Sequence, residues 1–159
     1  MVILSKVAEN LQELLDERGL TQTALAQEIK TCSSKLSSYL TGSRAPNFET
    51  LLSLVEYFHC SADFVLGLTE YPKEEAEYKP APPFGEQLRV LLREAGQSQY
   101  RFVNDTGISW SVFYHWLTGK CLPSADSLVR IAEHLGCSVD HVLGRVEIGY
   151  AAGLSLIHI

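Results

Sequence analysis

Residues 21–46 read TQTALAQEIKTCSSKLSSYLTGSRAP, and residues 98–123 read SQYRFVNDTGISWSVFYHWLTGKCLP. The two stretches lie 77 positions apart, and the match extends without a gap from 11–67 onto 88–144, with 19 of 57 positions identical. Self-similarity at one fixed offset means that a small domain is present twice. Identities at Leu14/Leu91, Gly19/Gly96, Gln22/Gln99, Leu40/Leu117, Gly42/Gly119, Pro46/Pro123, Leu51/Leu128 and the closing Leu66-Gly67/Leu143-Gly144 fall where a short helical unit needs anchors and stops. What differs between the copies is then informative about function.

The punctuation gives about five short helices per copy. Val7, Leu11, Leu14 and Leu15 form an i, i+4, i+7, i+8 stripe that stops at Gly19, a residue suited to a left-handed helix terminus. Thr21 (Ser98) is placed to cap a second helix running through Ile29 (Thr106), its hydroxyl accepting from the free amides of the first turn. A tight turn at Lys30-Thr31 leads to a third helix over 33–40 (110–117), which ends at Thr41-Gly42. Pro46-Asn47 (Pro123-Ser124) starts a fourth with Leu51, Leu54, Val55 and Phe58 inward, and Ser61 (Ser138) caps a short fifth.

These spacings predict an all-α chain with domains over 3–70 and 84–148. The intervening stretch 71–83 holds Pro72, Pro80, Pro82, Pro83 and a mixed-charge run from Lys73 to Glu77, and reads as a semi-rigid linker with a solvated surface. Fully extended, thirteen residues reach about 43 Å. An apolar content of 46% in 159 residues suffices for two small cores rather than one large one.

The residues of the first copy resemble the Cro and phage-repressor type of helix-turn-helix, the XRE family. The pattern runs Gln22, Leu25-Ala26, turn Lys30, apolar Leu36 and Tyr39, then Thr41-Gly42-Ser43-Arg44-Ala45-Pro46. The second copy keeps the spacing through Gln99, Phe102-Val103, Gly107, Phe113, Trp116, Gly119-Lys120 and Pro123. Two departures stand out. Lys30 occupies a turn position usually held by glycine, where positive φ costs about 1 kcal/mol for other residues; and the third helix of the second copy is unusually aromatic.

The resemblance implies a sequence-specific transcriptional regulator that binds double-stranded DNA, with helix three entering the major groove by its N-terminal end and helix two aiming its first amides at a phosphate. In the first copy the leading end offers Cys32, Ser33, Ser34, Lys35, Ser37 and Ser38, short donors and acceptors with one cation. By family role, Ser33, Ser34 and Ser38 match base-contacting positions, Gln22, Ser43 and Arg44 match phosphate-contacting ones, and Lys30 lies on the DNA side. The second copy places Gln99, Trp110, Ser111, Tyr114, His115 and Lys120 on the equivalent surface, with Phe113 and Trp116 repeating the core positions Leu36 and Tyr39. Trp110, Tyr114 and His115 should be exposed. They either touch DNA or form a patch for a protein partner or a second copy of the chain.

Charge argues the other way, because 13 Lys+Arg face 19 Asp+Glu for a net of −6, and phosphate neutralisation dominates non-specific affinity. The distribution softens this: Glu9, Glu13, Asp16 and Glu17 belong to helix one, away from Lys30, Lys35 and Arg44. The alternative is a protein-interaction module, an antirepressor, scaffold or antitoxin, that uses the aromatic face of the second domain. The acidic balance favours it; the polar leading end and intact turn of the first copy favour the regulator.

Other chemistries find no pattern in the sequence. Cys32, Cys60, Cys121 and Cys137 never form a Cys-x-x-Cys unit with histidine nearby, so no metal is expected, and Cys60 and Cys137 read as reduced core thiols. The histidines are scattered, no Ser-His-acid set or glycine-rich phosphate loop occurs, and the carboxylates read as single residues on helical surfaces, so neither an enzyme nor a cofactor is expected. With no leader and no apolar run of spanning length, the chain reads as cytoplasmic with no membrane partner. Residues 149–159 continue no helical pattern. Leu154–Ile159 resembles the in-frame translation of a transposase sequencing-adapter end and is set aside as artefactual.

Overall fold

The structure, a computed structural model, describes residues 2–72 and 77–146. The expectation about 149–159 lies outside the described residues. The chain divides into two compact units, residues 1–75 and 76–159. Every described element is helical or a turn, as the punctuation predicted.

In the first unit α1 (Leu4–Arg18) buries Val7, Leu11, Leu14 and Leu15, the stripe read from the sequence, and stops at Gly19 with φ 61°. The Thr21 hydroxyl accepts from Ala24 N at 3.1 Å to start α2 (Gln22–Glu28). Lys30 then takes φ 57°, the left-handed turn that its position demanded. Next come α3 (Ser33–Leu40), α4 (Phe48–Phe58), capped by the Asn47 side chain on Thr50 N at 2.9 Å, and α5 (Ala62–Val65), capped by Ser61. Helix α3 lies against α1 and α2, with Leu36 fully buried and Tyr39 nearly so. Burying each such side chain contributes about 1.5–3 kcal/mol, and it fixes which face of α3 is left to solvent.

The second unit repeats the plan with α6 (Phe84–Ala95), α7 (Gln99–Thr106), α8 (Trp110–Thr118), α9 (Ala125–Leu135) and α10 (Val139–Leu143). Phe113 and Trp116 are core residues, as expected. Trp116 packs edge-on against Phe84 at 6.1 Å between ring centroids. Helix α6 approaches the end of α8 so closely that a Cβ on Gly85 would collide with the Leu117 carbonyl oxygen.

Three expectations need correction. Both ends of the stretch read as linker are tied to the units: Ser61 N donates to Pro72 O at 2.8 Å, Lys79 N donates to Arg145 O at 2.8 Å, and the Arg145 guanidinium lies 4.2 Å from the Tyr78 ring centroid. The 43 Å reach therefore counts residues that are not free to extend. Nor do all carboxylates lie on surfaces. Asp140 is fully buried and bonded to the equally enclosed Arg145 at 2.5 Å, a pair that compensates its own desolvation. Finally, Cys60 is buried as a core thiol but Cys137, its counterpart after the turn that closes α9, is only half-buried.

Candidate nucleic-acid interface

The leading end of α3 is held from behind by α2. The Gln22 side-chain amide donates to the Ser33 carbonyl at 2.8 Å and to the Ser33 hydroxyl at 3.0 Å. Gln22 thereby positions α3, while Ser33, half-buried, is partly committed to that contact. Ser34 and Lys35 stand exposed beside it. Ser34 donates to the Cys32 sulfur at 3.4 Å, and this bond, with the Lys35 backbone amide, holds the exposed Cys32 thiol below the usual thiol range. Ser37 and Ser38 are half-buried, and Ser38 donates to the Lys35 carbonyl at 2.6 Å, leaving its oxygen as an acceptor.

The exit from α3 folds back on its last turn. Ser43 N and Arg44 N both donate to the Ser38 carbonyl, at 2.9 and 3.2 Å, and the Ser43 hydroxyl meets that of Thr41 at 3.0 Å. Lys30 before the helix and Arg44 after it are both exposed. Residues 21–46 thus carry three cations, Lys30, Lys35 and Arg44, against one carboxylate, Glu28, in a chain whose net charge is −6. The exposed carboxylates Glu9, Glu13, Asp16 and Glu17 belong to α1. Charge of the sign DNA requires is concentrated on the helix-turn-helix segment.

The second unit builds a different surface on the same frame. Ser109 caps α8 by accepting from Val112 N at 3.2 Å. Trp110 and Tyr114 are exposed as expected, and so are Ser111 and Lys120, whereas Gln99 and His115 are half-buried. The His115 carbonyl accepts from Lys120 N at 2.9 Å and Cys121 N at 3.3 Å, which closes the turn over that residue. Trp110 lies 5.6 Å from Tyr114 and 6.5 Å from Tyr100 between ring centroids, and stands edge-on to buried Phe113 at 5.9 Å. Tyr100, 68% exposed, escaped the sequence reading. Its signal was its register: it occupies the second position of α7, next to the turn that delivers α8. Arg101 and Lys120 flank this surface against a single carboxylate, Asp105, which Arg101 pairs at 3.6 Å.

Among the described residues, no three His, Cys, Asp or Glu side chains are placed to hold a metal ion, and no helix is long and apolar enough to cross a membrane. What the two surfaces can do is donate, accept and neutralise along an anionic groove.

The comparisons with known proteins follow the two units. Residues 11–65 match a family model described as a helix-turn-helix, and residues 87–147 match one described as a Cro/C1-type HTH DNA-binding domain. Over 79 residues the chain is 30% identical to the uncharacterized HTH-type transcriptional regulator YobD of Bacillus subtilis (strain 168), spanning 50% of this chain and 70% of that protein. It is 31% identical over 68 residues to the HTH-type transcriptional regulator ImmR of the same organism, across 43% of this chain and 54% of that one, so it spans about half of the ImmR length. A solved transcriptional regulator from Listeria innocua superposes with TM-score 0.37 and 24% identity over 62% of this chain and 83% of that chain, too loosely to carry an argument.

Proposed function

This chain belongs to the Cro/C1-type helix-turn-helix family of DNA-binding transcriptional regulators, and we propose that its first unit reads sequence through the leading end of α3. Ser34, Ser37 and Ser38 meet base edges there, with Cys32 and Ser33 bordering them. Lys30, Lys35, Ser43 and Arg44 meet phosphates, and Gln22 sets the angle of the reading helix. In the second unit Gln99, Trp110, Ser111, Tyr114, His115 and Lys120 form the corresponding surface on α8.

The observation that carries this reading is the Gln22–Ser33 clamp beneath an exposed, cation-flanked Ser34-Lys35 edge in an otherwise acidic chain. A docked helix needs that combination: short side chains that let the backbone approach, a fixed orientation, and positive charge at both ends. Affinity is modest and salt-sensitive, because each unit brings only a few phosphate contacts. The place of action is the cytoplasm, where the thiols of Cys32, Cys60, Cys121 and Cys137 stay reduced. The chain works without metal or cofactor and catalyses nothing.

Selection from a library of duplexes with a randomised core tests the reading. The wild-type chain enriches a defined motif, and Ser34→Ala changes the bases recovered more than it changes affinity for random DNA, a base contact being worth about 1–3 kcal/mol. Recovery of one identical motif by both proteins removes Ser34 from the reading set, and no enrichment at all sinks the proposal.

A further inference from the structure

The two units present unlike chemistry at one register. Ser33 and Ser37 of α3 become Trp110 and Tyr114 of α8, and Thr23 of α2 becomes Tyr100 of α7. The three rings are 39%, 51% and 68% exposed, yet they form a connected group, with Trp110 at 5.6 Å from Tyr114 and 6.5 Å from Tyr100. Trp110 is seated by its edge on Phe113, which is fully buried, so the group is anchored to the core rather than free to rotate. Exposing this much aromatic surface costs solvation unless something covers it.

We infer that Tyr100, Trp110 and Tyr114 form an apolar platform that reads thymine C5-methyl groups in the major groove, giving the second unit a half-site different from that of the first. The inference rests on the DNA-binding reading above. Three observations select DNA as the occupant. Tyr100 and Trp110 sit in the first turns of α7 and α8, and Tyr114 follows one turn along α8, continuous with the edge that a helix-turn-helix presents to the groove. The segment carrying them matches a family model described as a DNA-binding domain. Within residues 98–123 the charged side chains are Arg101 and Lys120 against Asp105, which is paired with Arg101. Within the groove, the thymine methyl is the one base substituent that an apolar face recognises by contact. The first unit, faced with hydroxyls, reads hydrogen-bonding edges. A chain that joins the two prefers a composite, non-palindromic site, and the covalent link raises the effective concentration of the second contact.

The test uses the full chain and the duplex it selects from a randomised library. Wild type recovers a two-part site with thymines in one part. Trp110→Ser and Tyr114→Ser, which install the first unit's residues, lose the thymine preference in that part and keep the other. Resynthesising that part with deoxyuridine for thymidine weakens wild-type binding about four- to fifteenfold, the range for one or two buried methyls, and leaves Trp110→Ser unaffected. Equal binding of the deoxyuridine duplex by wild type overturns the platform while leaving DNA binding by the chain intact. A Trp110→Ser chain that recovers the same site but passes from oligomer to monomer in sedimentation also overturns it, assigning the rings to contact between chains. Failure to enrich any duplex removes the reading on which the inference rests. Thermal unfolding of both variants confirms that folding is kept.

Discussion

The side-chain amide of Gln22, the first residue of α2, donates to both the carbonyl and the hydroxyl oxygen of Ser33, the first residue of α3, at 2.8 and 3.0 Å. The turn between the helices is thereby braced at its mouth. Gln22→Ala removes both bonds at a net cost of about 1–3 kcal/mol in stability. Because the released helix no longer meets base edges at one angle, the ratio of specific to non-specific affinity falls further than that stability loss. Urea unfolding beside competitive DNA titrations measures the two effects separately.

Lys30 holds φ 57° where the second unit places Gly107 at φ 73°. A lysine pays for that backbone and a glycine does not, so Lys30→Gly stabilises the first unit by about 1 kcal/mol. It also deletes a cation from the DNA-facing side. Stability and affinity are expected to move in opposite directions, and thermal melts with binding isotherms on the same sample show whether they do.

Arg145 is 2% exposed and bonded to fully buried Asp140, with the Tyr78 ring over its guanidinium. Arg145→Ala removes the cation bonded to this buried carboxylate and costs about 3–5 kcal/mol. Arg145→Ala combined with Asp140→Asn recovers part of the loss, because no buried charge is left unpaired. Both tryptophans, Trp110 and Trp116, lie in this unit, so their fluorescence during urea unfolding follows it alone.

The helices were legible because their ends are written in single residues: Gly19 and Gly96 stop the first helices, and Thr21, Ser98, Asn47, Ser124, Ser61 and Ser138 cap later ones. The core positions Leu36, Tyr39, Phe113 and Trp116 followed from spacing within a helix. What escaped depends on contact between elements. Arg145 reads as a surface residue by type, and its burial comes from Tyr78 and Lys79 folding onto the second unit. Spacing along α7 places Tyr100 on the surface, but its tie to Trp110 needs α7 and α8 in their packed orientation. The half-burial of Ser33 arises in the same way, from its Gln22 partner eleven residues earlier.

The Ser34 hydroxyl bond to the Cys32 sulfur is the largest influence lowering that thiol's pKa. Its thiolate fraction therefore persists to lower pH than that of an ordinary cysteine, and iodoacetamide modifies Cys32 at neutral pH faster than it modifies N-acetylcysteine. Ser34→Ala removes the bond and shifts the pH–rate curve for Cys32 upward. A bound duplex slows the reaction, because Cys32 borders the reading edge. Peptide mass spectrometry over a pH series follows all three.

Lys35 and Arg44 grip phosphate from α3 and its flank, and the salt dependence of DNA affinity reads that grip. Titrating the wild-type chain, Lys35→Ala and Arg44→Ala on the selected duplex across a range of NaCl concentrations gives a log–log slope for each. The wild-type slope is expected to be a few units, with each variant shallower by roughly one. Identical slopes for the three proteins contradict it.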